Sequence, residues 1–87
     1  MTADERRRRE FINSNPNISQ QFKDAILEGI LYLGMSQEMV IASWGLPYDK
    51  NRTVGVWGVH EQWIYGRSVS SRIYLYFEDD ILTSWQD

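Results

Sequence analysis

The chain has 87 residues, a formal net charge of −3 and no cysteine. That is one domain's length, with no room for a second core, and neither a disulfide nor a thiolate metal cluster is available to hold it together. The acidic balance argues against bulk nucleic-acid binding, which needs clustered cations to displace counterions, and no apolar run reaches the length of a membrane span. With 43% apolar and 14% aromatic residues, including four Trp and five Tyr, the chain is rich enough to fold on burial alone.

The N-terminus, MTADERRRRE, carries charge but no apolar stretch follows it, so no signal peptide is written here. The absence of cysteine suits a reducing compartment or a periplasmic protein that does without disulfides. Residues 1–16 read as a polar lead-in or linker, with the domain proper over residues 17–87. Arg6 to Arg9 are flanked by Asp4, Glu5 and Glu10. A solvated, partly helical segment whose charges neutralise one another accounts for that run. The sharper reading is an anchor for anionic lipid or RNA, which predicts affinity that falls steeply with salt. Asn15-Pro16-Asn17 is a breaker.

From Ile18 the apolar period becomes helical: Ile18, Phe22, Ala25, Ile26, Gly29, Ile30 and Leu33 form one stripe, widened by Leu27 and Leu31. Gly29 inside the pattern costs about 1 kcal/mol against Ala, and suggests a close crossing or an early helix end. The first helix is expected from Asn17 or Ile18 to about Glu28, with residues 30–33 as an apolar bridge that is either a further turn of helix or extended. A second, short helix has both ends written out. Ser36 is a good N-cap and Glu38 adds charge where the helix dipole is positive. Gly45 is expected to close the helix in the left-handed conformation, and Pro47 forbids continuation. About two turns are not stable alone in water, so Met39, Val40 and Trp44 need a surface to bury against.

After Pro47 the texture becomes β-like. Asp49-Lys50-Asn51 reads as a turn, residues 53–57 are β-prone, Gly58-Val59-His60 is a place to turn the chain, and residues 61–65 form a strand. In residues 72–78, Ile73, Leu75 and Phe77 alternate with Tyr74 and Tyr76. Asp79-Asp80 makes a tight turn and residues 81–86 return as the last strand. The expected class is α+β: two N-terminal helices packed on one face of a three-stranded antiparallel sheet, with an extra ribbon allowed for before the first strand. The sheet is apolar on both faces. One is core; rings on the other are either packed at an edge or a partner surface.

Gly34-Met35-Ser36, Val40 and then Gly45-Leu46-Pro47 resemble the "GMT…V…LG.P" segment of the SmpA/OmlA (BamE-like) domain family of bacterial envelope lipoproteins. The similarity continues through Asn51-Arg52-Thr53, Glu61-Gln62-Trp63-Ile64-Tyr65-Gly66, Tyr74-Leu75-Tyr76-Phe77 and Leu82-Thr83-Ser84, from about Ile26 to Gln86. It implies an ααβββ fold, a non-catalytic scaffold role at the periplasmic face of the outer membrane, in its assembly or maintenance, and protein partners. Dimers, some formed by exchange of elements, also occur in the family. Membrane attachment would come only through a lipid anchor whose Cys this chain lacks; without a removed leader the location would be cytoplasmic. The last hairpin carries Asp79-Asp80 where the family commonly has Gly, so Asp80 must tolerate positive φ at some cost.

No catalytic, cofactor or metal site emerges from the residues. His60 is the one histidine, so no dyad, triad or zinc cluster can be assembled. Glu78-Asp79-Asp80 lacks the ligand spacing of a calcium loop, and Gly55 and Gly58 open no phosphate-binding helix. What remains is a candidate protein-contact set: Asn51, Arg52, Trp57, Glu61, Trp63, Tyr65, Tyr74 and Tyr76. Trp, Tyr and Arg dominate interface energetics. The alternative use for Arg52 is a pair with Glu61 that fixes a ribbon. Two functions follow, a non-enzymatic envelope protein acting through protein contacts, or an inhibitor that plugs a periplasmic enzyme with residues 51–60.

Overall fold

The computed structural model describes residues 1–87. Three helices precede four strands: α1 (Ala3–Ser14), α2 (Gln20–Glu28), α3 (Gln37–Trp44), β1 (Asp49–Gly55), β2 (Gly58–Tyr65), β3 (Ile73–Glu78) and β4 (Ile81–Gln86), with a turn of 3-10 helix at Val69–Ser71 before β3. The strands form one antiparallel meander in the order β1-β2-β3-β4. The class is α+β as expected, but the sheet has four strands rather than three and the helices number three.

The extra helix is the stretch read as a lead-in. Thr2 and Glu5 form a capping box, in which the Thr2 hydroxyl accepts from the Glu5 N–H at 3.1 Å and the Glu5 carboxylate accepts from the Thr2 N–H at 3.4 Å. No residue of α1 is fully buried. Phe11 and Ile12 nonetheless pack against the core, and Arg7 and Arg8 bind the end of α3. Arg7 donates from Nε to Ala42 O at 3.0 Å and from Nη2 to Ser43 O at 3.2 Å; Arg8 Nε donates to Ser43 O at 3.0 Å. Cations are stabilising at a helix C-terminus, where the last carbonyls are unpaired. Two of the four arginines are thus bound to the body of the protein. Arg7 also hydrogen-bonds Asp4 at 2.6 Å, and that bond and its charge hold the Asp4 carboxyl below its ordinary 3.8.

α2 ends where Gly29 allows it. Gly29 adopts φ +70°, its N–H donates to Ile26 O and the Ile30 N–H to Ala25 O, the paired bonds of a Schellman stop. Once the helix stops, Ile30 and Leu33 leave its apolar face and are about half exposed. The bridge is not a further turn of α2 but an irregular link that turns at Leu33-Gly34, and α3 uses the carbonyls around its start: Trp44 Nε1 donates to Gly29 O and the buried Ser43 hydroxyl to Ile30 O. α3 begins as expected, with the Ser36 hydroxyl accepting from the Met39 N–H at 3.2 Å. Its end differs from expectation. Gly45 has φ +85° but ψ −173°, a conformation essentially confined to glycine and not left-handed helical.

The strands sort the sheet into two rows. Register places Lys50, Arg52 and Val54 beside Trp63, Glu61 and Val59, and Tyr65, Trp63 and Glu61 beside Ile73, Leu75 and Phe77. This row meets the helices: Ala25, Ile26, Met35, Val40, Ala42, Trp63, Leu75, Phe77 and Leu82 form a single buried cluster. The opposite row carries Asn51, Thr53, His60, Gln62, Ile64, Tyr74, Tyr76 and Glu78.

β1 corrects the expected turn at Asp49-Lys50-Asn51. These residues disfavour strands in isolation, but their partners decide. Asn51 Nδ2 donates to Gln62 Oε1 at 3.1 Å and Lys50 Nζ lies 4.6 Å from the centre of the Trp63 ring. The chain reverses at Val56-Trp57, ahead of the expected Gly58-Val59-His60, with Gly58 at φ +117° taking the left-handed position. In the β3–β4 turn both Asp79 (φ +47°) and Asp80 (φ +70°) have positive φ, the geometry of a two-residue hairpin that matches strand twist. Asp79 Oδ1 accepts from the Val59 N–H at 2.9 Å and the Asp79 N–H donates to Val59 O at 2.8 Å, tying the two hairpins together.

Candidate interaction surface

The eight candidate contact residues do not form one surface. Trp63 is fully buried, packed 4.5 Å centre to centre against Phe77. It belongs to the core rather than to an exposed recognition edge. Its indole N–H donates to Glu61, whose other oxygen lies 3.7 Å from Arg52 Nε. The Glu61 side chain is only 10% exposed against 62% for Arg52. Glu61 therefore acts structurally, holding the Trp63 ring and anchoring the base of Arg52, while the outer part of the guanidinium stays in solvent.

Tyr65 is also committed to the fold. Its hydroxyl donates to Gly45 O at 2.7 Å and its ring meets Trp44 edge-on at 5.2 Å. Burial pushes the phenol above its ordinary value of 10.0. Because the folded state holds this proton more tightly than the unfolded chain, the stability it contributes is complete below pH ~10 and falls as pH rises further. Tyr65→Phe is expected to lose about 1 kcal/mol at neutral pH and to show a shallower alkaline fall than the natural protein. Urea melts at pH 7 and above 10 check both; identical pH profiles would contradict this role.

Asn51 and Tyr76 lie on the row facing away from the helices. They are linked through Gln62, which accepts from Asn51 and whose Nε2 stands 3.5 Å from the Tyr76 hydroxyl. Tyr74 shares that row beside Ile64. His60 and Glu78 sit across from each other there, 3.7 Å apart, and an open groove of about 390 Å³ runs between them and Ser84. Both tyrosines are only partly exposed, so this row offers polar groups and ring edges rather than an apolar patch. No group of three or more His, Asp or Glu side chains is placed to hold a metal.

Trp57 stands apart from the other seven, at the tip of the β1–β2 hairpin and 60% exposed. Val56 beside it is fully exposed and Val54 is 66% exposed. These two valines are not in the eight-residue contact set, although residues 51–60 of the inhibitor reading span them; the signal for them is the TVGVWG run, in which two glycines bracket a Val-Trp pair. The tip is not loose. The Trp57 ring lies over Gly55 so closely that a Cβ there would sit 2.4–2.6 Å from three ring carbons, and it meets His60 edge-on at 6.2 Å. Gly55 is the residue that lets the ring fold back. The result is an apolar, pre-arranged projection with Arg52 behind it on the strand.

Scans of the chain against models of protein families, against curated proteins and against solved structures return no match. The interaction surface therefore stands on its geometry.

Proposed function

We propose that this chain is a non-enzymatic cell-envelope protein of the SmpA/OmlA (BamE-like) kind, working through protein–protein contacts in outer-membrane assembly or maintenance. The observation that carries the contact role is the hairpin tip, where Val54, Val56 and Trp57, its ring folded back over Gly55, leave an apolar projection in water. Large aromatics pre-arranged in this way lose little entropy on binding and are the usual energetic centres of interfaces. The motif series from Gly34 to Ser84 supports the envelope assignment and a periplasmic location.

Trp57→Ala tests it. The ring makes no core contact, so stability should change by no more than about 0.5 kcal/mol, whereas loss of an interface anchor costs about 2 kcal/mol or more, roughly 30-fold in affinity. A photo-cross-linking amino acid placed at Val56 should give a defined adduct in the cell envelope that disappears with Trp57→Ala. An adduct unchanged by Trp57→Ala overturns the proposal.

A second reading is favoured by the same projection: the tip plugs the cleft of a periplasmic hydrolase, with residues 51–60 as the inhibitory segment. It predicts inhibition of at least one such enzyme, lost with Trp57→Ala. A hydrolase panel unaffected at high micromolar protein removes it.

A further inference from the structure

Resting on the protein-contact role proposed above, we infer that the free edge of β1 takes an extended acidic segment of the partner by strand addition. The two edges of the sheet are not equivalent. Along β4, Gly34 donates to Leu82 O at 2.9 Å, Leu82 donates to Met35 O at 2.8 Å, and Ser36 bridges Ile81. The chain itself thus covers the start of that edge. β1 has no strand beyond it, and every residue from Asp49 to Val54 is exposed. Natural sheets usually protect such an edge, because its unpaired backbone groups are a template for another strand. Here no helix or loop covers the edge, and its protection is by side chains alone: Asp49 Oδ1 occupies the Lys50 N–H at 2.8 Å, and the charges of Lys50 and Arg52 repel another cationic edge.

The charges choose the occupant. Lys50 and Arg52 lie on one row of β1, with Val54 next along the same row. Lys50 is held over the Trp63 ring, and the Arg52 side chain, 62% exposed, has only the 3.7 Å approach of Glu61 to offset its charge. The other row contributes Asp49, whose carboxylate is engaged by the Lys50 N–H, followed by neutral Asn51 and Thr53, so the two cations outnumber the one acid along the strand. An added strand with carboxylates on the Lys50–Arg52 row and an apolar residue facing Val54 meets complementary groups at each position. A second copy of this chain does not. A two-fold antiparallel pairing centred on Lys50, Asn51 or Arg52 sets cation against cation, and one centred on Thr53 sets Arg52 against a valine.

The probe is a capped heptapeptide, Thr-Val-Thr-Glu-Thr-Glu-Thr, which added antiparallel sets Val beside Val54 and the two Glu beside Arg52 and Lys50; it is titrated into the isotope-labelled full chain with its lysine-for-glutamate counterpart and a version N-methylated at alternate residues. The acidic peptide should bind at least about tenfold more tightly than the lysine peptide. Its shifts should centre on residues 50–54, with newly slowed amide exchange at Arg52 and Val54, whose N–H groups face the free edge as that of Lys50 does, and N-methylation should abolish them. Lys50→Glu combined with Arg52→Glu should reverse the charge preference. Equal binding of both peptides, indifference to N-methylation, shifts centred elsewhere, or no binding up to about 1 mM each overturns the proposal. Loss of the Val56 adduct on Trp57→Ala, alongside an inert β1 edge, would leave the contact role standing and remove only this partner chemistry.

Discussion

Trp63→Ala should unfold a large fraction of the protein. Truncating a buried aromatic costs about 3–5 kcal/mol, and a chain of this length has roughly 0.05–0.15 kcal/mol per residue in total. The ring sits at the centre of the buried cluster against Phe77 and also holds Glu61, whose side chain is only 10% exposed. Removing it therefore opens a cavity and strips a nearly buried carboxylate of one donor. Lys50 also loses the ring beneath it, which loosens β1 against β2. Urea titration should show a midpoint far below that of the natural protein, while Trp57→Ala melts like the natural protein. Equal losses at the two positions would contradict the division between a core tryptophan and a surface one.

Arg7→Ala combined with Arg8→Ala has the second largest expected effect, of a different kind. The two side chains make three hydrogen bonds to Ala42 and Ser43 carbonyls at the C-terminal end of α3. Bonds to a charged group contribute about 1.5–3 kcal/mol each when buried, but these side chains are only half-buried and water can replace them once α1 moves away. The net loss should be about 2–3 kcal/mol, paid locally. Hydrogen exchange should show α1 amides losing protection with the four strands unchanged, because α1 contributes no fully buried residue. Continued protection of α1 would mean that Phe11 and Ile12 alone hold it. Arg6 and Arg9 are exposed, so their replacement should change neither stability nor exchange.

Local signals explain which parts of this fold were legible. The Ser36 cap, the stop at Gly29 and the Ile73–Leu75–Phe77 alternation each depend on neighbours a few residues away, and each appears in the structure. α1 does not advertise its packing. Its arginines cap a helix some 35 residues further along the chain, a use that looks like a solvated charge run in one dimension. β1 was half seen for a related reason: Asp49, Lys50 and Asn51 have turn chemistry, and pairing with Trp63 and Gln62 overrides it. The contact set split because Trp57 and Trp63 both stand in β-prone stretches. Only the position of the reversal at Val56-Trp57 decides that one ring points to solvent while the other enters the core. Lys50 and Val54 carried no separate signal, since an edge strand is defined by the absence of a neighbour.

The most direct test of this division uses all the tryptophans together: fluorotryptophan labelling of the full chain, with line broadening by a soluble paramagnetic agent read at each of the four resonances. Trp57 at the tip and Trp85 on β4 should broaden strongly, Trp44 partially and Trp63 hardly at all. A Trp63 signal that broadens as readily as that of Trp57 would mean that the helices do not cover the sheet, and the account would fail.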